Sequence, residues 1–392
     1  MIESLADLLH PNDPTLLFDA VKAHQRLLLR SDRARQFAAL APWDRLNALI
    51  TPEHIESGCV EMVRNSFIIA SEVLLEHERG SQSKKRVQVG TLQSNCRQGL
   101  SLVINSIQDV MRDIALVNAI IERELRCPVH TNAYMSFSCD SAFKPHWDNH
   151  NVLVLQVHGR KQWTCWGQPW QFPTNKSECP VPSVLGKPEW EGLLEPGDIL
   201  YVPRGDIHAA KVMESEDSVH LTITIKPPRG EAIGLAIARL CESETMARKD
   251  LPTLASAEDK KAWLAEMKAI LHQAVDRLDL EQVLTDLDQK RAPLPFTSLG
   301  LINRVTLASR FQPTLRRRLP AGWNTDDGGT VQVGGKTWRL NAQEATVLEN
   351  ALRRHTLTVG ELLPLMPHIE PDAIIRLVGD MALKGLLVML SA

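Results

Sequence analysis

The 392-residue chain has only two Tyr, no CxxC pair, no GxGxxG or P-loop pattern, and no apolar run approaching the 18 or more residues of a membrane span. Without a P-loop or dinucleotide fingerprint, nucleotide chemistry is disfavoured. Seven dispersed Cys (Cys59, Cys96, Cys127, Cys139, Cys165, Cys179 and Cys241) are odd in number, which argues against a disulfide framework or a thiolate zinc site. Forty-four Lys plus Arg against forty-seven Asp plus Glu leave a formal charge of −3, too little field to hold a phosphate backbone generically. Nucleic acid is therefore not an expected partner. The start, Met1-Ile2-Glu3-Ser4, lacks the basic-then-apolar pattern of a secretory leader, so a cytoplasmic protein without membrane contact is expected.

What is present points to a folded protein with chemistry. With 44% apolar residues, this length predicts two or three domains. Nine Trp outnumber the Tyr, and five of them (Trp147, Trp163, Trp166, Trp170, Trp190) fall in one 44-residue window.

Residues 1 to about 125 read as mostly helical. Apolar residues at helical spacing (Leu16, Leu17, Phe18, Val21, Leu27 to Leu29) follow an Asp13-Pro14 start, and a charged, exposed loop is predicted over 78–86. A long helix then runs through Ile107, Val110, Met111 and Ile114 to about Leu125. From Cys127 the texture changes to short apolar runs between turns, at 132–138, 152–157, 162–166, 199–202 and 219–225, which indicates an all-β sandwich or barrel. His158-Gly159-Arg160 marks a hairpin tip and Glu195-Pro196-Gly197-Asp198 a tight turn. Lys226-Pro227-Pro228-Arg229-Gly230 forms a boundary, and helical periodicity returns from Glu231 to about Arg310. After Pro320, a Gly334-Gly335 hairpin, three short helices (342–353, 359–365, 371–384) and an apolar tail predict a winged-helix shape.

The constellation with chemical content is His146-Trp147-Asp148, followed sixty residues later by His208. Positions i and i+2 of a strand share a face, so His146 and Asp148 present an imidazole and a carboxylate to one point. His208 follows the strand and turn Tyr201-Val202-Pro203-Arg204-Gly205, and a barrel would bring it to the same mouth. Two His and one carboxylate on one face leave positions open, as in non-haem Fe(II) oxygenases. Taken alone, HxD is a weak pattern, more often an ordinary strand with two polar residues facing solvent. Lys161 lies thirteen residues beyond Asp148 on the returning strand; buried there, it needs an anionic partner such as a dicarboxylate, whereas at the surface it is a solvated neighbour of Arg160. Asn132 and Tyr134 alternate on one strand, and Thr222 and Thr224 on another, a pattern that ordinary strand polarity also produces.

The run Asn132-Ala133-Tyr134, Pro145-His146-Trp147-Asp148, Val154-Leu155-Gln156-Val157-His158-Gly159-Arg160-Lys161-Gln162-Trp163, Leu194-Glu195-Pro196-Gly197-Asp198-Ile199-Leu200-Tyr201-Val202-Pro203-Arg204-Gly205 and His208 resembles the Jumonji C, cupin-type oxygenases of the ribosomal oxygenase group. Order and spacing agree over 77 residues. The resemblance implies an α+β protein: a double-stranded β-helix (cupin or jelly-roll) core with N-terminal helices over 1–228, a helical dimerisation region over 229–315, and a winged-helix-like domain over 316–392. It implies Fe(II) held by His146, Asp148 and His208, and 2-oxoglutarate held at its distal carboxylate by Lys161, with Asn132, Tyr134, Thr222 and Thr224 lining its pocket. The implied activity is 2-oxoglutarate-dependent hydroxylation of an amino-acid side chain of a ribosomal protein, by a homodimer.

Between Tyr134 and His146 the family commonly has a Gly-rich stretch, where this chain has Met135-Ser136-Phe137-Ser138-Cys139-Asp140-Ser141-Ala142-Phe143-Lys144. That departure at the mouth keeps two alternatives in view: a hydroxylase tailoring a peptide natural product, and a metal-holding cupin scaffold without catalysis. Asp206, where the family has a bulkier residue, is expected to be a solvated loop residue rather than a partner of a ligand His. His150 and His158 are expected at the surface or behind the ligands, His220 near the metal or in packing, and Cys139 and Cys165 in packing. The segment 371–384 holds only Arg376 and Lys384 as basic residues, so the winged helix is assigned to dimerisation or substrate contact rather than to DNA.

Overall fold

The computed structural model describes residues 2–64, 67–68, 73–79, 82–137, 143–174, 178–214, 216–319 and 323–391. Half of the altered mouth segment (138–142, with Cys139) and Pro320 lie outside the described residues.

Helix α1 (Pro14–Ala23) starts where the Asp13 side chain accepts the Thr15 N–H, and ends at His24 with a left-handed φ of 51°. The helical reading fails just beyond it. Leu27, Leu28 and Leu29 form strand β1 (Leu27–Leu29), paired antiparallel with Ile199 to Tyr201. A run of three Leu carries no period, so only its partner decides its state. The region before residue 125 also contains β2 (Val60–Arg64), β3 (Ser101–Ile104) and a hairpin, Leu74–Arg79 with Gln82–Val87, where an exposed loop was expected. The predicted long helix is accordingly broken. A helix over Val89–Arg97 stops at Gly99 (φ 98°), β3 intervenes, and α2 (Arg112–Leu125) begins afresh.

The all-β reading from residue 127 onward holds. Strands β4 (Val129–Ser136), β5 (Asn151–His158), β6 (Lys161–Gly167), β7 (Trp190–Leu194), β8 (Ile199–Val202), β9 (Ile207–Val212) and β10 (Ser218–Ile225) form two antiparallel sheets. The larger runs β1-β8-β5-β10-β4-β3-β2 and ends on Phe67–Ile68; the smaller runs β7-β6-β9. They face each other, as a double-stranded β-helix requires. Both predicted turns are present, with Gly159 at φ 58° and Gly197 at φ 101°. A Cβ at Gly159 would lie 2.0 Å from the Asp217 carbonyl oxygen, so the tip requires glycine.

Strand alternation sorts the large sheet into two faces. Val219, Leu221, Ile223 and Ile225 of β10, with Leu153, Leu155 and Val157 of β5, join the core beneath the N-terminal helices and α2. The intervening positions of β4 and β10 point between the sheets, and there they are polar. Val152 and Val154 meet Trp163, Leu194, Leu200 and Val202 in a separate inner cluster.

Helix α2 is buried nearly all round, from Ile114 to Arg123. One side packs on the large sheet, and Ala115, Leu116 and Ala119 meet Leu294 and Val388 of the C-terminal part. Between them run α3 (Glu231–Cys241), α4 (Ala257–Asp276) and α5 (Leu280–Gln289), followed to residue 309 by largely irregular chain with a single 3-10 turn, Ile302–Arg304, where α-helix was expected. The C-terminal part has its own core. It comprises β11 (Arg310–Pro313), the hairpin β12 (Gly329–Val333) and β13 (Lys336–Leu340), α6 (Ala342–Arg354) behind an Asn341/Glu344 capping box, α7 (Pro371–Leu383) and β14 (Leu387–Met389), which pairs with β11. No helix among the described residues is long and apolar enough to cross a membrane.

Candidate metal centre and adjoining pocket

His146 and Asp148 lie on an extended connection rather than on a continuous strand. His146 forms an isolated antiparallel bridge with His208, donating its N–H to the His208 carbonyl (3.1 Å) and accepting the return bond (2.8 Å). The register of β9 against β6 shifts between Ile207 and His208, a bulge that re-aims the His208 side chain. The two imidazole centroids come within 4.6 Å, His208 Nε2 lies 3.6 Å from Asp148 Oδ2, and one ligand atom from each of the three residues lies within 4.8 Å of the others.

Each imidazole is oriented from behind. His146 Nδ1 donates to the Lys144 carbonyl and His208 Nδ1 to the Asp206 carbonyl, both at 2.9 Å. Carbonyl oxygens only accept, so the proton sits on Nδ1 and each Nε2 presents its lone pair. Backbone partners of this kind fix metal-binding histidines. Trp147, between His146 and Asp148, is buried, and its indole donates to the Cys179 carbonyl at 2.8 Å.

Beside the triad lies a cavity of about 430 Å³. All eight residues expected from the sequence at the metal and its cosubstrate line it: His146, Asp148, His208, Lys161, Asn132, Tyr134, Thr222 and Thr224. Lys161 is 3% exposed, and among the described residues its ammonium reaches only Ser136 Oγ (3.1 Å) and His220 Nδ1 (3.3 Å). No carboxylate among the described residues pairs with it, and burial alone pushes its pKa down to about 7. Asn132 Oδ1 accepts the Ser106 N–H at 3.0 Å, and Thr224 Oγ1 meets His150 Nε2 at 3.2 Å. Burial pushes the Tyr134 hydroxyl up to about 12, so it stays protonated as a donor.

His220 belongs to this pocket rather than to packing elsewhere. It stacks on Tyr134 at 4.9 Å and 4°, and burial, with Lys161 and His208 alongside, holds it well below the usual histidine value. A neutral His220 can accept from the Lys161 ammonium. His130 also lines the cavity and was not singled out from the sequence, although it continues the Tyr134, Asn132 alternation by one more step. Trp163 lies inward, 5.8 Å from His208, and Trp166 falls on the opposite face of β6. His158 is remote, contacting the Ala41 carbonyl (2.9 Å) and stacking on Trp43. Cys165 is buried and its thiol is pushed up to about 12, which leaves it a packing residue.

Asp206 corrects its sequence reading. It is 1% exposed, not solvated, and accepts Arg26 Nε (2.9 Å), Arg26 Nη2 (2.7 Å) and the Gly167 N–H (3.1 Å). Arg26 precedes β1, 180 residues away, and no local pattern announced it. The pair braces the turn whose carbonyl orients His208.

Residues 104–233 match the family model for the JmjC domain. Among curated proteins, the chain is 26% identical over 265 residues to the bifunctional lysine-specific demethylase and histidyl-hydroxylase NO66 of Caenorhabditis elegans, covering 63% of this chain and 33% of that protein. It is 32% identical over 131 residues to the protein of the same name from Drosophila yakuba, covering 33% and 19%. The chain thus spans about a third or less of the length of these relatives. Among solved structures, Escherichia coli ribosomal oxygenase YcfD superposes with a TM-score of 0.56 over 97% of this chain and 99% of that one, at 16% identity. A structure of YcfD in complex with cobalt and 2-oxoglutarate gives 0.53 at 15% identity, over 96% and 98%. At these identities the structural likeness is one of fold.

Proposed function

We propose that this chain, a JmjC-domain protein of the ribosomal-oxygenase type, is an Fe(II)- and 2-oxoglutarate-dependent oxygenase that hydroxylates a side chain of a protein substrate. The observation that carries the reading is the buried Lys161 ammonium. A cation at 3% exposure with no carboxylate partner among the described residues is unstable by itself, and a dicarboxylate in the adjoining cavity completes it. A metal-holding scaffold without catalysis has no use for such a group.

The residues fit the metal as well. Two imidazoles with outward Nε2 lone pairs and one carboxylate converge on one point, a donor set suited to Fe(II) with positions left for other ligands. Bound there with its keto acid and dioxygen, the iron would supply the oxidation of an unactivated C–H bond. The protein's part is positioning. Lys161 and Ser136 anchor the distal end of the cosubstrate, Asn132, Tyr134, Thr222 and Thr224 line its sides, and Trp163 and Val152 wall the cavity against water.

By analogy with the named activities of its relatives, the substrate is a ribosomal protein or another protein offering a basic side chain. We assign the C-terminal part the winged-helix-like role of substrate contact, and α3 to α5 a role in homodimerisation. The test of the whole reading is conversion of 2-oxoglutarate to succinate by iron-loaded protein, together with a one-oxygen mass difference in a ribosomal protein between cells with and without the gene. No succinate above the metal-free control overturns the oxygenase reading; succinate without any such mass difference moves the substrate elsewhere.

A further inference from the structure

A second cleft, of about 390 Å³, is lined in part by Asn149, His150 and Asn151, the residues that directly follow the candidate metal-binding segment. Lys22, Arg204, Lys226 and Arg229 line it, and no Asp or Glu does among the described residues. Among the described residues, Arg204, Lys226 and Arg229 form no salt bridge there, and Lys22 meets only Asp19, at 3.8 Å on the exposed face of α1. Arg204 Nε and His24 Nδ1 are buried without hydrogen-bond partners among the described residues. Arg204 and Arg229 repel one another, and Glu231 offsets this only in part. Four cations gathered at one cavity with unsatisfied donors lack an anion.

The cleft is tied to the metal centre by its backbone. Gly205 donates its N–H to the Asp148 carbonyl at 3.0 Å, and the Arg204 N–H is held by Asn151 Oδ1 at 2.9 Å. Arg229 donates to the Asn149 carbonyl, one residue past the ligand Asp148. His150 lines both this cleft and the cavity beside the triad. Phe172, 52% exposed, forms one wall, with the Arg204 guanidinium 5.4 Å from its ring centroid and His24 edge-on at 4.5 Å.

We propose that this cleft is a substrate subsite that takes an acidic side chain of the segment flanking the hydroxylated residue, with Arg204 and Arg229 as its specificity-determining cations. The inference rests on the reading of the chain as a protein hydroxylase. A guanidinium offers a planar fork matched to a carboxylate, and a second cation beside it raises selectivity for negative charge. A compact cleft fits one or two side chains. It is not a track for a phosphate backbone, and four cations fall short of the six to ten contacts of a typical nucleic-acid site. A free carboxylate ligand would gain nothing from the shared His150 wall, whereas a peptide crossing the mouth reaches both cavities.

The test is fluorescence anisotropy with the full chain and three fluorescein-labelled probes: a short peptide bearing a Glu cluster, a matched Lys-cluster peptide, and oligouridylate. The Glu peptide binds the wild-type protein in preference to the Lys peptide, and R204E/R229E weakens it roughly tenfold or more while improving the Lys peptide. R204K/R229K retains most of the preference, and circular dichroism establishes that each variant is folded. Should R204E/R229E fail to fold, K226E, on an exposed side chain, reads the same contrast. Equal binding of the two peptides, or a preference untouched by charge reversal, overturns the proposal. Tighter oligouridylate binding lost in R204E/R229E overturns it in favour of RNA. Binding is measured without iron, so a failed succinate assay with intact peptide preference sinks the oxygenase reading alone, and the converse sinks the subsite alone.

Discussion

His146 and His208 hold each other by both of their backbone hydrogen bonds, at 3.1 and 2.8 Å, so two candidate ligands 62 residues apart in the chain are fixed by a single bridge. Each ring is then locked by a carbonyl at Nδ1. The site is thus prearranged by the chain itself. Replacing His146, Asp148 or His208 by Ala should lower metal affinity by more than the roughly 10–100-fold that loss of an outer partner costs. Isothermal titration with Co(II) reads the affinity and succinate formation the activity; two variants with normal turnover would dismiss the triad.

Lys161 should show opposite effects on stability and on cosubstrate use. Its folded pKa, about 7, lies below its ordinary 10.5. The unfolded chain therefore binds this proton over a range where the folded chain does not. The resulting penalty is full below about pH 7 and fades as pH rises toward 10.5, so the ligand-free protein gains stability from this group between pH 7.5 and 9.5. Lys161→Met removes the penalty, on the order of a few kcal/mol at neutral pH, while raising the 2-oxoglutarate requirement steeply. Thermal melts across pH, with and without 2-oxoglutarate, check both; a Met variant that melts lower and uses 2-oxoglutarate normally would show that Lys161 has another role.

Arg26→Ala should be costly although Arg26 touches no proposed ligand. It leaves the Asp206 carboxylate buried with only the Gly167 N–H, an uncompensated charge worth roughly 3–5 kcal/mol. Asp206→Asn, which keeps an acceptor and removes the charge, should cost less. Urea unfolding of both variants gives the order, and equal losses would mean that the ion pair contributes nothing beyond its hydrogen bonds.

How much of this was legible in the sequence divides along one line. Period-two alternation exposed the inward faces, because a strand's own residues decide which of them share a side: Asn132 with Tyr134, Thr222 with Thr224. Lys161 was legible through the length of the hairpin that returns it. What remained hidden depends on distant partners. Leu27 to Leu29 become a strand only because Ile199 to Tyr201 lie alongside. Asp206 is buried only because Arg26 arrives from before β1. His220 was ambiguous until Tyr134, on the neighbouring strand β4, stacked on it.

The C-terminal part is latched to α2 by a buried Arg123. Its Nε donates to His355 Nδ1 at 3.0 Å, its Nη1 to the Leu315 carbonyl at 2.9 Å, and His355 Nε2 meets Glu124 Oε1 at 3.1 Å. His355 must be neutral to accept from Arg123, and burial holds its pKa below 6.5. The unfolded chain therefore takes up this proton first as pH falls, so stability is present above pH 6.5 and lost below it. His355→Asn should flatten that limb of the stability profile between pH 7 and 5. Denaturant midpoints measured across this range check it, and an unchanged slope would mean that the latch does not titrate.

Helix α4 carries the clearest consequence for assembly. Trp263, Met267, Ile270 and Ala274 turn inward, and Ala274 is its one buried residue. Leu264, Leu271 and Val275 recur at i, i+7 and i+11, a single stripe left 47%, 38% and 50% exposed. A contiguous apolar stripe on a helix with so little buried surface is better accounted for by a second copy than by water. Leu264→Glu with Leu271→Glu should convert a dimer to a monomer in sedimentation velocity and leave circular dichroism of the barrel unchanged, because neither residue joins its core. A wild-type chain that sediments as a monomer at tens of micromolar would remove α4 from the interface and the homodimer with it.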